Sequence, residues 1–491
     1  MKKEDTYRKR NLLTFPLGTV GRDAVYTLIN SYLLTFVLFT HSLTAAHLTA
    51  ITGIMIGARV FDAFNDPIMG NIIERTRTKY GKFKPWLVAG VLSTSVVIYL
   101  MFNVQLQGWK FVLFFGIMYF AFSITYTMND ISYWGMIPAL SSDANARNQF
   151  TSRATLFAGI GNTAALILIP LFTTGKNTIG GNAAFAYGRI ALVIAIAAPL
   201  FLSITIFGTR EHRDSANTPL TEKFSFKALV RTIIHNDQLV WVAVIFLIQQ
   251  VGNGIIVGGI GSTYIYSIYG YEGGLYSLFT TVGMSVTALL MLFYPVISRH
   301  IHRKKLMGYM AVIATIGYIM IFASGFMAGT GTFRFLLLTI GYMLCNFGQY
   351  CYYLIMMISI MNTVEYNEYK FGTRDEGIIT SLRPFITKLG SAIIVAVTSA
   401  SYIILGVTDY TNQISDLEQQ CNQNLITEAV KLEKIKDVLS HVTSRQSMGL
   451  LIFMSIIPCI LMLISYVLYK KKYKLDEEEY DRICKELGRT E

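Results

Sequence analysis

Apolar runs of about twenty residues or more recur along this chain, separated by short polar or basic segments. Each is long enough, as a helix, to cross a hydrocarbon core of about 30 Å. They predict about twelve spans, near 13–40, 45–73, 85–104, 110–138, 150–173, 188–208, 239–267, 276–298, 305–328, 333–361, 378–406 and 448–469. The expected organisation is an N-terminal six-helix half (1–208), a central loop (209–238), a C-terminal six-helix half (239–469) and a tail (470–491). One interval breaks the alternation. Residues 407–447 are polar and mixed in charge, and EAVKLEKIKDVLSHV within them has Val430, Leu432, Ile435, Val438 and Leu439 at helical spacing, predicting a short amphipathic helix. The interval is longer than a simple connection requires. A lid, a docking surface and a tolerated insertion are the alternatives, and the last is favoured.

Composition agrees with an all-α polytopic membrane protein: 53% of the 491 residues are hydrophobic and 15% charged. The net charge of +12 sits in short loops between apolar runs, which a positive-inside bias explains better than nucleic-acid binding. Arg75, Arg77, Lys79, Lys82 and Lys84 follow the second span, Arg299, Arg303, Lys304 and Lys305 the eighth, and Lys470, Lys471, Lys472 and Lys474 the last. The loops around His41–His47 and Gly270–Tyr276 hold neither Lys nor Arg. Both termini and the central loop are therefore expected in the cytoplasm, in a cell (plasma) membrane protein. No removable signal peptide is expected, and no phosphotransferase-like domain after the last span. The five cysteines lack metal-ligand spacing. No Walker loop, H-E-x-x-H or G-x-S-x-G is present, so nothing points to ATP-driven transport or an enzyme.

The chemistry lies in polar residues inside the spans. Arg59, Asp62, Asn65 and Asp66 stand among Val60, Phe61, Phe64, Ile68 and Met69. Residues three and four apart share a helix face, so Asp62, Asn65 and Asp66 form one oxygen-bearing patch. A carboxylate at mid-helix costs roughly 2.5–3.5 kcal/mol on insertion scales. Two of them one turn apart require a proton, a metal cation or a basic side chain beside them. In the fourth span Thr127, Asp130 and Trp134 share a face. A carboxylate accepts hydrogen bonds from neighbouring sugar hydroxyls, and an indole packs on the C–H face of a pyranose. Trp134 also suits an interfacial belt. Asp23, beside Arg22, reads either as half of an Arg–Asp pair near the cytoplasmic end or as a carboxylate facing the cavity. Lys388, in the eleventh span, needs a carboxylate or a water-filled cavity; Asp62, Asp66 and Asp130 are the expected partners. The glycines of VGNGIIVGGIG (251–261) are expected to permit close helix approach and bending, and Gln249, Gln250 and Asn253 are candidate donors to substrate hydroxyls.

DAFNDPIMG followed by TRTKYGKFKPW resembles the second helix and following loop of the glycoside–pentoside–hexuronide:cation symporters of the major facilitator superfamily. TYTMNDISYW (125–134) resembles that family's sugar-binding helix, with Ser132 where D-I-P-F-W often has Pro, and NTVEYNEYKFGTRDEG (362–377) also resembles it closely. The resemblance implies the major facilitator fold, two six-helix halves with substrate bound between them, and no cofactor beyond a coupling ion. It favours the cavity-facing reading of Asp23 and matches Arg153 to a basic position of the sugar site; Arg153 read alone is a snorkelling arginine.

The resulting expectation is a cation-coupled sugar or glycoside symporter, with no nucleic-acid partner, working as a monomer in the lipid bilayer. Asp62, Asn65, Asp66 and Thr127 would bind the cation, with Na⁺ at Asp62 and Asp66 preferred and H⁺ able to substitute. Asp23, Asp130, Trp134 and Arg153 would bind sugar. Lys388 would pair across the halves, and Glu365, Glu368 and Arg374 would gate the cytoplasmic side. The rivals are a transporter of another solute, such as a lysophospholipid, and a non-transporting sugar sensor.

Overall fold

Backbone groups inside hydrocarbon must be satisfied by the chain itself, so spans of this composition fold as helices. The computed structural model describes residues 2–141, 144–210, 234–327, 329–373 and 375–488, and among these there is no strand. The first helix, α1 (Lys2–Thr27), passes through a π turn at Leu28–Tyr32 into α2 (Leu33–Thr40). There follow α3 (Ala45–Arg75), α4 (Lys84–Asn103), α5 (Gly108–Gly135), the short α6 (Ile137–Leu140), α7 (Ala144–Thr173) and α8 (Ala183–Gly208). Beyond the central segment, α9 (Asp237–Ile255) passes through a second π turn, Ile256–Ile260, into α10 (Gly261–Tyr269). Then come α11 (Gly273–His300), α12 (Arg303–Ser324), α13 (Thr332–Phe371), α14 (Glu376–Leu405), α15 (Val407–Asn422), α16 (Glu428–Ser440), α17 (Ser444–Lys472) and α18 (Glu477–Glu486). Among the described residues, ten helices are long and apolar enough to cross a membrane. Two more, α3 and α11, are equally long, and α3 carries Arg59, Asp62 and Asp66 within it.

The chain forms two compact units. The first holds α1–α8 with Gly270–Ser277 and Gly406–Val442; the second holds α9, α10, α11 from Leu278, α12–α14 and the chain from Thr443. Both units pack by one scheme. In the first, α1 lies on α7 and α8, and α4 on α5 and α8; in the second, α9 lies on α14 and α17, and α12 on α13 and α17. Numbered as spans, the first meets the fifth and sixth, and the third meets the fourth and sixth. The first span of each unit also carries the π turn. Small residues permit this packing: a Cβ at Gly161 would collide with the Val20 carbonyl, and Gly317 faces Gly341 backbone to backbone.

One expectation changes here. The region 362–377, expected as a loop, is helical to Phe371, because Asn362, Thr363, Val364 and Asn367 are buried; Gly372, at φ 73°, ends the helix. Of the central segment 209–238, residues 211–233 lie outside the described residues. The interval 407–447 contains the expected amphipathic helix as α16, preceded by α15, and both belong to the first unit. Helix α15 packs on α2 and α8. Asn412 exchanges hydrogen bonds with the backbone of Leu43, at 2.8 and 2.9 Å, and Asp416 accepts from Ser42. Glu418 and Lys431 form an ion pair at 3.2 Å with both side chains no more than 1% exposed.

Candidate functional site

The first unit presents the polar residues of α1, α3 and α5. Helix α1 is pinned on several sides. Thr19 donates to the Ala154 carbonyl (3.1 Å), Thr27 to Asn162 (2.8 Å) and Tyr32 to the Leu166 carbonyl (2.8 Å) on α7, and the Gly18 amide donates to Thr205 (3.1 Å) on α8. Tyr133 on α5 donates to the Phe15 carbonyl. These contacts fix Arg22 and Asp23. Arg22 Nη2 lies 2.8 Å from Asp23 Oδ2, and Nη1 lies 3.0 Å from Asp130 Oδ1 on α5. The guanidinium carbon stands 4.9 Å from the ring centre of Trp134 and 5.1 Å from that of Tyr133. Arg22 is 6% exposed and Asp130 41%, so the group opens on its Asp130 side.

A second polar group lies farther along the same helices. Asp62 is paired with Arg59, 3.6 Å away, and accepts a hydrogen bond from Ser123. Arg59 also donates to Asn30 (2.5 Å), which sits in the π turn of α1. Thr127 donates to Asp66 at 3.1 Å. Asn65 is buried, and its Nδ2 has no hydrogen-bond partner. A buried unsatisfied amide costs roughly 1–3 kcal/mol, and the two Nδ2 hydrogens call for an acceptor. On α5, Ser123, Thr127, Asp130 and Trp134 fall at helical spacing along one stripe, so one helix serves both groups. With Ser132 in place of Pro, α5 runs unbroken to Gly135.

Several sequence-predicted residues thus meet and others do not. Asp23, Asp130 and Trp134 converge on Arg22, so the Arg22–Asp23 pair is present and is extended to α5. The counter-charge demanded by Asp62 comes from Arg59 on its own helix. Arg153 is exposed, and its side chain donates to the Leu12 carbonyl at 3.2 Å; among the described residues no ion pair joins it to Asp23 or Asp130. Gln249, a candidate donor to substrate, instead donates to Gln349 at 3.1 Å within the second unit. Lys388 lies on α14 of that unit. Glu365 and Glu368 lie half-buried on the last turns of α13, where Lys370 pairs with Asp237 at 2.7 Å. Arg374 lies outside the described residues. The glycine-rich stretch 251–261 does bend: Gly259 has φ 128° in the π turn, and Gly254 and Gly258 make room for Ile394 on α14.

A family profile described as MFS/sugar transport protein matches residues 14–477. The lactose permease of Lactobacillus helveticus is 28% identical over 416 residues, covering 80% of this chain and 62% of the permease. The raffinose carrier protein of Pediococcus pentosaceus is 27% identical over 508 residues, covering 100% of this chain and 73% of the carrier. The chain therefore spans about two thirds of the length of these relatives. Among solved structures, a bacterial homolog of the human lysosomal transporter Spinster, inward-facing and unoccupied, aligns with a TM-score of 0.62 at 14% identity, covering 96% of this chain and 99% of that one. That likeness concerns the fold alone.

Proposed function

We propose, from the premise that the chain belongs to the MFS/sugar transport protein family, that it carries a sugar or glycoside across the membrane by alternating access, with a monovalent cation as co-substrate. The observation that carries this reading is the Asp23–Arg22–Asp130 group beside Trp134, one to two helical turns along α5 from the Asp62/Asp66 group. Two carboxylates held by one guanidinium keep acceptors and donors ready for ring hydroxyls. The indole supplies an apolar wall. The names of the lactose and raffinose relatives support a sugar as cargo.

The cation is assigned to Asp62, Asn65, Asp66 and Thr127, whose oxygens suit a hard ion such as Na⁺, with H⁺ as the substitute. Binding there would loosen Arg59 from Asp62 and shift the α3–α5 contact that borders the sugar site. Sugar and cation would then raise each other's affinity by the same factor. Lys388 is assigned to charge compensation and Glu365 with Glu368 to the gate. Arg153 is assigned to sugar only in a state in which it leaves the Leu12 carbonyl. The basic loops support cytoplasmic termini in a cell membrane, and the protein is proposed to act as a monomer.

The test is uptake into proteoliposomes of labelled lactose, raffinose, pentosides and hexuronides under a Na⁺ or an H⁺ gradient. Gradient-driven accumulation of at least one sugar is expected. Binding without counterflow would turn the reading into a sensor.

A further inference from the structure

Between α12 and α17 of the second unit runs a furrow of about 560 Å³, lined by Lys305, Tyr309, Val312, Ile316, Leu463 and Tyr466 among others. Both helices are long and apolar enough to span a membrane. Tyr309, Val312, Ile316 and Leu463 are 57, 59, 47 and 40% exposed. Apolar side chains this exposed on two spanning helices suit acyl chains better than a soluble partner. The furrow's extent fits one leaflet. From Lys305 to Ile316 the helix rises roughly 16 Å, against about 15 Å for half a hydrocarbon core.

The charges at its mouth are sorted. Arg303 is bound to Glu477 at 2.9 Å and Lys304 to Asp476 at 2.8 Å, so both serve the contact with α18. Lys305, the next residue, is exposed and has no ion pair among the described residues. Tyr309 stands one turn deeper, and the Tyr466 hydroxyl comes close to the Gly308 position. The furrow therefore has an ammonium at its rim, phenol groups at ester depth and an apolar floor below.

We propose that this furrow binds one phospholipid with an acidic headgroup, the phosphate at Lys305 and an acyl chain along Val312, Ile316 and Leu463. Lys305 ends the furrow on the side read above as cytoplasmic, where anionic lipids attract basic residues. The leaflet rests on that orientation; the furrow and its charge do not.

Native mass spectrometry of the full chain, exchanged into an equimolar mixture of phosphatidylglycerol and phosphatidylcholine, tests this. One retained phosphatidylglycerol is expected where phosphatidylcholine is lost. Lys305→Ala should lower its retention about fivefold, the effect of one basic residue at an anionic surface, and leave phosphatidylcholine unchanged. Val312→Trp, at an exposed position, should fill the furrow and abolish the bound lipid of either class. Equal retention of the two lipids, or Lys305→Ala behaving as wild type, would overturn the proposal. So would dimers that vanish with Val312→Trp while lipid retention stays, since the occupant would then be a second copy. Sugar uptake is scored separately, so failure here leaves the transport reading standing.

Discussion

The guanidinium of Arg22 on α1 reaches Asp130 on α5 at 3.0 Å, across 108 residues of sequence. Removing it should strand two carboxylates at once. Breaking a buried pair by deleting one partner costs about 3–5 kcal/mol, and the 41% exposure of Asp130 puts the effect at the lower end. Arg22→Ala is expected to lower the melting temperature in detergent. Adding Asp130→Asn should recover part of the loss without restoring sugar binding. An unchanged melting temperature for Arg22→Ala would show that the bridge does not hold α1 to α5.

Asp130→Asn and Trp134→Ala should each abolish sugar binding while cation binding persists. Both side chains meet Arg22, and neither has a hydrogen bond or ion pair to Asp62 or Asp66 among the described residues. Calorimetry separates the two ligands. Loss of the cation instead of the sugar in both variants would mean the two groups are assigned in reverse.

Much of this was legible in the sequence, for physical reasons. Charged residues inside apolar runs are costly, so Asp62, Asp66 and Asp130 announced themselves, and helical spacing placed Thr127, Asp130 and Trp134 on one stripe. Arg22 was harder to read. A residue beside Asp23 looks like its local partner, and only the approach of α5 to α1 makes it a bridge. For Asp62 the spacing left a proton, a metal cation and a basic side chain open, and i,i+3 spacing is what selects Arg59 in the structure. In 407–447 the helical spacing of α16 was legible, but its docking was not, because the partners come from the far side of the chain: Leu43, Gly181 and Ala183.

Coupling should fail when the Asp62/Asp66 group is neutralised. With both carboxylates changed to Asn, Arg59 loses its acidic partner and the proposed cation site loses its charged ligands. Sugar should then equilibrate without accumulating. Lowering the pH should reduce the apparent Na⁺ affinity of the unaltered protein if proton and Na⁺ share the proposed site. A double variant that still concentrates sugar on either gradient would remove this group from the mechanism.

The contact between α18 and the start of α12 should open in acid. Burial alone would raise the Asp476 and Glu477 carboxyls. The Lys304 ammonium with the Glu479 amide, and the Arg303 amide and guanidinium, outweigh it and hold both below their ordinary values. Groups with depressed folded values stabilise fully above the ordinary carboxylate range and lose that contribution as pH falls through the folded values. A spin label at Lys485 should therefore stay immobile at neutral pH and become mobile below the ordinary carboxylate range. Mobility that is independent of pH would exclude the clasp.

The segment from α15 to α16 should detach when its buried ion pair is broken. Glu418 accepts from the Ala183 amide at 2.8 Å, and Lys431 donates to the Gly181 carbonyl at 2.6 Å, so the pair plugs the turn before α8. Burial pushes the Glu418 carboxyl above its ordinary value, and Lys431 opposes the shift without cancelling it. A raised folded value means stability fully present below the ordinary value and lost as pH rises through the folded one. Lys431→Met removes the opposing charge and extends that loss. Docking should weaken by about 3–5 kcal/mol with Glu418 ionised, and recover when Glu418 takes up a proton. Hydrogen exchange of residues 407–422, corrected for intrinsic rate, should be faster in Lys431→Met at about pH 8 and closer to wild type at about pH 5. Replacing both residues, Glu418→Gln with Lys431→Met, should restore most of the protection, since no lone charge then remains buried. Equal exchange in the single variant and the unaltered protein would show that the segment is held by Asn412 and Asp416 rather than by the pair.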